Sequence, residues 1–345
     1  MKATIEWGLL KNPILEHPDW SFKDATMIRY KNDFHLFTSA FNEERSTVAQ
    51  LTTPNFRDFS GFHLHLDGSD SGHVGMCSPS ITQVDGTFIL CLNSWGSHSG
   101  NQNQLFYLES EDLRTWSELR PLAPDLTRGV RAIDGALTRR FGTWFLVWKA
   151  GGDTFFGHSQ NLDRGWELIG SGKGSLINNE GIDIAEQGQY HENFQFLEID
   201  GTQHLLSTDY NPHHPWLYRI AGESHKIENW SKWTGGQRLY IASEDFNSVP
   251  NDHPAVKRND FQRSLHPCWD NERRIQIVDG LDNAAWISDW REYDGYFYVL
   301  YGGKSEIGRN RFNGTASGHA WPRGWNRLGL SRSRELKNWK PAGCE

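Results

Sequence analysis

SEDLRTW, residues 110–116, closes a run of strand-like sequence, and four looser copies of the phrase stand elsewhere in the chain. They read NFRDFSGF at 55–62, SQNLDRGW at 159–166, SHKIENW at 224–230 and SRELKNW at 333–339. Each sets a polar residue, an apolar one and an aromatic two or three positions on. Five copies of one unit, most of them roughly 50 to 65 residues apart, indicate a repeat architecture.

A second phrase precedes the first four copies: DATMIRYKNDFHLF from Asp24, SPSITQVDGTFILCL from Ser78, DGALTRRFGTWFLVW from Asp134 and ENFQFLEIDGTQHLL from Glu192. The fifth counterpart is WISDWREYDGYFYVLY from Trp286. Alternating apolar residues flank turns read as Asn-Asp, Asp-Gly or Phe-Gly, the pattern of β-hairpins rather than βαβ units. Four short strands per repeat is the signature of a propeller blade, so the expected fold is all-β, a five-bladed β-propeller forming one domain over 1–345. A charged, turn-rich insertion near 240–285 is read as a long loop over one face.

The composition agrees: 34 Gly, 16 Trp and 19 Phe among 345 residues suit a large β core with aromatic packing between blades. A formal net charge of -8 argues against a nucleic-acid partner and favours a neutral or polyhydroxylated ligand. No apolar run reaches the length of a signal peptide or a membrane span, which predicts a soluble protein and leaves cytoplasm and periplasm both open. Cys77, Cys91, Cys268 and Cys344 lie far apart and read as buried thiols. The 15 His residues show no compact ligand spacing, so no metal site and no cofactor is predicted, with a structural calcium in the channel left open.

In a propeller the innermost strands run side by side around the channel, so equivalent positions converge at one mouth. Counting ten residues back from Phe34, Phe88 and Trp144 gives Asp24, Ser78 and Asp134, and eleven back from Gln203 gives Glu192. A single acid at a strand start is most simply a turn cap. Three in matched positions suit glycoside hydrolysis, where one carboxyl protonates the leaving oxygen and another activates water or attacks.

These acids, in KDATMI, RAIDGAL and HENFQFLEIDG, together with the closing phrases, resemble the five-bladed propeller glycosidases of glycoside hydrolase family 43 and its relatives. The resemblance implies Asp24 as general base, Asp134 as the residue that tunes pKa and orientation, and Glu192 as general acid. That family usually carries Asp-Pro at the first and third positions and Glu-Gly-Pro at the fourth. Here they are Asp24-Ala25, Asp134-Gly135 and Glu192-Asn193. The His191-Glu192 pair looks more like family 117, whose members act on agar fragments and in which a His beside the Glu has been proposed as the acid. His191 is therefore the second candidate donor, on condition that a bulge or loop lets both side chains reach the substrate, because neighbours on a strand point to opposite faces.

The expected mechanism is a single displacement with inversion, exo-acting on plant or algal oligosaccharides, which requires Asp24 and Glu192 to stand roughly 6.5 to 9.5 Å apart. Expected substrate contacts are Arg131, Ser78, Trp95, His98, Trp148, His319 and Trp321, aromatic faces stacking on sugars and Arg binding hydroxyls or a carboxylate. Two rivals stand beside this reading: a propeller phosphorylase that splits mannosides with phosphate, and a non-catalytic carbohydrate-binding propeller. Oligomeric state is left open.

Overall fold

A computed structural model of the chain describes residues 5–17, 20–41, 46–65, 75–94, 104–188, 190–209, 214–239, 241, 264–265, 276–277, 285–304 and 326–343. The chain divides into two compact units: Met1–His65 with Asn211–Pro215 and Leu239–Glu345, and Leu66–Tyr210 with Trp216–Arg238. The described elements are almost all strand, in four-stranded antiparallel meanders of the propeller-blade kind.

In the first unit, β1 (Ser21–Tyr30), β2 (Asp33–Phe41), β3 (Ser46–Thr53) and β4 (Ser60–His65) pair in chain order as one blade. In the second, β5 (Met76–Val84), β6 (Thr87–Ser94), β7 (Leu105–Ser110) and β8 (Arg120–Pro121) form a blade. So do β9 (Ala132–Arg140), β10 (Thr143–Ala150), β11 (Asp153–Ser159) and β12 (Glu167–Lys173). β13 (Ser175–Asn178) adds a parallel fifth strand to the blade of β14 (His191–Ile199), β15 (Thr202–Asp209), β16 (Pro215–Ile220) and β17 (Lys232–Arg238).

Two short segments, β18 (Ser264–Leu265) and β19 (Gln276–Ile277), pair with each other; the remainder of the 240–285 insertion lies almost wholly outside the described residues. β20 (Trp286–Asp289), β21 (Phe297–Lys304), β22 (Asn326–Ser333) and β23 (Lys340–Pro341) form another blade of the first unit. The N-terminal segment is fastened to this blade. Asn12 donates to Tyr301 Oη at 3.1 Å and to the Leu330 carbonyl at 3.0 Å, and accepts from the Leu330 N–H at 2.8 Å.

The hairpin turns explain the first-to-second strand connections. Lys31, Asp85, Phe141 and Asp200 take φ of 58°, 50°, 51° and 49°, and glycines 86, 142 and 201 follow at 87°, 79° and 75°. Two successive positive φ values make the primed turn whose twist matches that of the strands. In the first blade the turn therefore starts at Lys31, one residue before the Asn-Asp read from the sequence. In the β20–β21 blade the tight turn is replaced by a helical turn, Arg291–Asp294, stopped by Gly295 at φ 86°.

The repeated closing phrase joins the third strand of each blade to the fourth. A hydroxyl caps the turn: Thr53 Oγ1, two residues before the first copy, accepts from Phe56 N at 2.8 Å, and Ser110 Oγ from Leu113 N at 2.9 Å. Asp112 then accepts from Arg114 N and Thr115 N, and those two hydrogen bonds hold its carboxyl below the ordinary range. In three copies the closing aromatic turns inward, Trp166, Trp230 and Trp339 being buried, whereas Trp116 is half-buried. Among the described residues no helix is long and apolar enough to cross a membrane.

Candidate active site

The first strands of four blades break their ladders at one repeat position. Pairing shifts between Lys23 and Thr26 on β1, between Cys77 and Ser80 on β5, and between Glu192 and Gln195 on β14; on β9 it shifts opposite Val147 and Lys149. The residue inside each bulge is left-handed: Asp24 at φ 50°, Ser78 at 51°, Asp134 at 57° and Asn193 at 54°. Asp and Asn tolerate that conformation better than other non-glycine residues, and bulges of this kind re-aim a side chain beside functional sites.

This corrects the alignment in the fourth blade. The equivalent of Asp24, Ser78 and Asp134 is Asn193, ten residues before Gln203; Glu192 precedes the bulge.

Each predicted acid residue is met, through its side chain or its backbone, by a residue that the sequence reading missed. Ser39 Oγ donates to Asp24 Oδ2 at 2.6 Å, and the Lys23 ammonium lies 3.6 Å from the same oxygen. The Asp134 N–H donates to Asn93 Oδ1 at 3.0 Å, and Asn93 Nδ2 donates to the Ser94 carbonyl and to Cys77 Sγ. Lys149 Nζ donates to Glu192 Oε2 at 2.6 Å. Ser39, Asn93 and Lys149 share one repeat position, five residues after Phe34, Phe88 and Trp144, and each faces a site residue from a second strand. The signal was therefore available: the alignment that runs ten residues back from the turn aromatic also runs five forward.

Asp24, Asp134 and Glu192 are all buried. Gly135 completes the Asp134 bulge by packing against the preceding blade: a Cβ there would come within 3.0 Å of Leu105 and 3.1 Å of Cys91 Sγ. Cys77 and Cys91 are buried thiols, and burial with the nearby Asp134 charge pushes Cys91 far up in pKa. Cys268 and Cys344 lie outside the described residues.

His191 sits apart from this chemistry. It pairs with Asp209 and Glu192 with Thr208 in unbroken register, so the bulge falls after both and the two side chains take opposite faces. The His191 ring packs edge-on to Tyr218 and near Trp216, with Nδ1 2.6 Å from Ser207 Oγ. Burial lowers its pKa to about 4, assisted by Lys149 and opposed by Asp209. Near neutral pH it is uncharged.

A depressed histidine contributes stability above its unfolded pKa and loses it as pH falls toward the folded value, because the unfolded chain takes up the proton first. Between pH 6.5 and about 4, His191 is expected to cost the fold up to about 3 kcal/mol. Urea denaturation at pH 7, 5.5 and 4.5 should show the wild type losing that margin relative to a His191→Asn variant. A stability difference independent of pH would refute it.

Of the expected substrate contacts, Trp148 is corrected. It is 2 % exposed and stacks on Phe155 in the core, because its neighbour Lys149 takes the side facing Glu192 and alternation sends Trp148 the other way. Arg131 is exposed just before β9, and Ser78 occupies the bulge of β5. Trp95, His98, His319 and Trp321 lie outside the described residues. Among the described residues no three His, Cys, Asp or Glu side chains gather as metal ligands.

No family model matches the sequence, and no curated protein does so with significance. The likeness to solved structures is extensive. The chain is similar to the GH43_1 enzyme of Xanthomonas citri complexed with xylotriose, at 10% identity and a TM-score of 0.57, over 96% of this chain and 91% of that one. It is similar to GH43B of the Bacteroides ovatus xyloglucan PUL, at 14% identity and TM-score 0.55, over 97% of this chain but only 56% of the other's length. A member of the GH130 family of mannoside phosphorylases, described as containing hydrolases that target beta-1,2 mannosidic linkages in Candida mannan, matches at 10% identity and TM-score 0.59, over 100% and 98%. At these identities the likeness establishes the fold, a five-bladed β-propeller.

Proposed function

We propose that the protein is a glycoside hydrolase acting by inversion on plant or algal oligosaccharides. Asp24 takes a proton from water as the water oxygen bonds to the anomeric carbon. Glu192 gives a proton to the glycosidic oxygen as the bond from that oxygen to the anomeric carbon breaks, and Asp134 orients the acid and the sugar. The reading asks for no cofactor, since two carboxyl groups suffice for the chemistry.

One observation carries it: three buried acids stand at the inner-strand bulges of three blades, Asp24 and Asp134 inside them and Glu192 immediately before one, each met through its side chain or backbone by a second-strand residue. Turn capping explains one such acid but not three. The fold likeness to glycosidases supports the reading as analogy. Exo action and a closed pocket are part of the proposal, resting on the long 240–285 insertion.

The test is hydrolysis of 4-nitrophenyl xylosides, arabinofuranosides, galactosides and mannosides, and of plant and algal oligosaccharides, by wild type, Asp24→Asn and Glu192→Gln. Cleavage of one substrate class that both substitutions suppress is expected. Binding without turnover across the whole panel would move the protein to the carbohydrate-binding class.

A further inference from the structure

Lys149 is a lysine whose ammonium sits inside a blade interface. Its side chain is 10% exposed and that of Glu192 11%, and the ion pair joins β10 of one blade to β14 of the next within the same unit. Stability gives little reason for such a pair, since desolvating two ions about cancels their attraction and apolar residues of like volume often do as well. A cation fixed against a carboxylate is worth more where negative charge appears during a reaction.

We infer that Lys149 is a positioning residue for Glu192, fixing the plane of its carboxyl group and stabilising the carboxylate that proton donation leaves behind. The inference rests on the glycosidase reading. In the step concerned, Glu192 carries its proton on the oxygen that does not face Nζ; that O–H bond breaks, the glycosidic oxygen gains the proton and departs from the anomeric carbon, and the new negative charge appears on a carboxylate whose Oε2 lies 2.6 Å from Nζ. Two features of the structure favour the role. The pairing is direct and buried. The position is the one from which Ser39 holds Asp24 and Asn93 holds the Asp134 backbone.

A residue that acts through the general acid matters only when the leaving group needs a proton. The test therefore compares the 2,4-dinitrophenyl, 4-nitrophenyl and methyl glycosides of the sugar that the wild type cleaves. Lys149→Met should lose about 30- to 100-fold in kcat/KM on the methyl glycoside and less than about threefold on the dinitrophenyl one, and Lys149→Arg should recover most of the loss. Lys149→Met strands a buried carboxylate and could unfold the blade, so Lys149→Met/Glu192→Gln, which removes both charges, is measured beside it. In the Glu192→Gln background the lysine change should cost less than about twofold. A loss equal across the three leaving groups, or full additivity in the double variant, would overturn the role while leaving the glycosidase reading standing. A wild type that cleaves no glycoside would overturn that reading and this inference with it.

Discussion

Glu192→Gln is expected to lower kcat/KM on an unactivated oligosaccharide by about 10³-fold, within the range over which a positioned general acid contributes. The amide preserves the shape of the side chain and still accepts from Lys149, so the fold is expected to survive. What disappears is the transferable proton. KM should change little, because the loss falls on the transition state and not on ground-state binding. Steady-state kinetics on a natural oligosaccharide, with circular dichroism to confirm folding, checks it. A variant within threefold of wild type would remove Glu192 from the mechanism. Asp24→Asn should fall by a similar factor.

The largest expected effect on stability belongs to Trp230→Ala. Trp230 is fully buried and closes the fourth-blade copy of the repeated phrase. Its ring stacks on Phe145 of the preceding blade at 3.9 Å with planes 9° apart, and meets Phe196 and Trp233 edge-on or nearly so. Its Nε1 donates to the Ser224 carbonyl at 2.7 Å, so truncation also leaves that acceptor without its partner. Removing a ring in such a setting costs about 4 kcal/mol through lost transfer energy and a cavity that rigid neighbouring sheets fill poorly. Urea unfolding should show the midpoint fall with the slope unchanged. A loss below about 1 kcal/mol would mean that the blade interface relaxes around the gap.

Much of the fold was legible because its unit repeats. The closing phrase states a capped turn and a buried aromatic in a few residues, and the Asp-Gly and Phe-Gly turns fix hairpin register. The last hairpin was less legible, since WREYDGY carries a helical turn in place of a two-residue one, and a Gly after a short polar stretch suits either. The inner-strand bulges were read to within one residue. Asp24 and Asp134 are legible because each stands ten positions before the turn aromatic. Asn193 takes the equivalent place in the fourth blade, and a bulge, which inserts one residue against its partner strand, hides which of two neighbours is displaced.

Trp148 was read as a substrate contact and lies in the core for a related reason. Alternation assigns Lys149 and Trp148 to opposite faces, and only the ion pair with Glu192 decides which face is which. Lys149 itself went unread because it lies on the second strand, where no acid drew attention. The position of His191 beside an acid suggested shared chemistry, whereas unbroken register up to Glu192 sends the imidazole into the blade, where desolvation outweighs the nearby Asp209 charge.

The central claim, single displacement by a hydrolase, is tested most directly by proton NMR of the first sugar released from a cleaved oligosaccharide in phosphate-free buffer. The account predicts a free reducing sugar whose anomeric configuration is opposite to that of the bond broken, appearing before mutarotation and at a rate that added phosphate does not raise. First-formed sugar of retained configuration, or turnover only with phosphate and release of a sugar 1-phosphate, would contradict it.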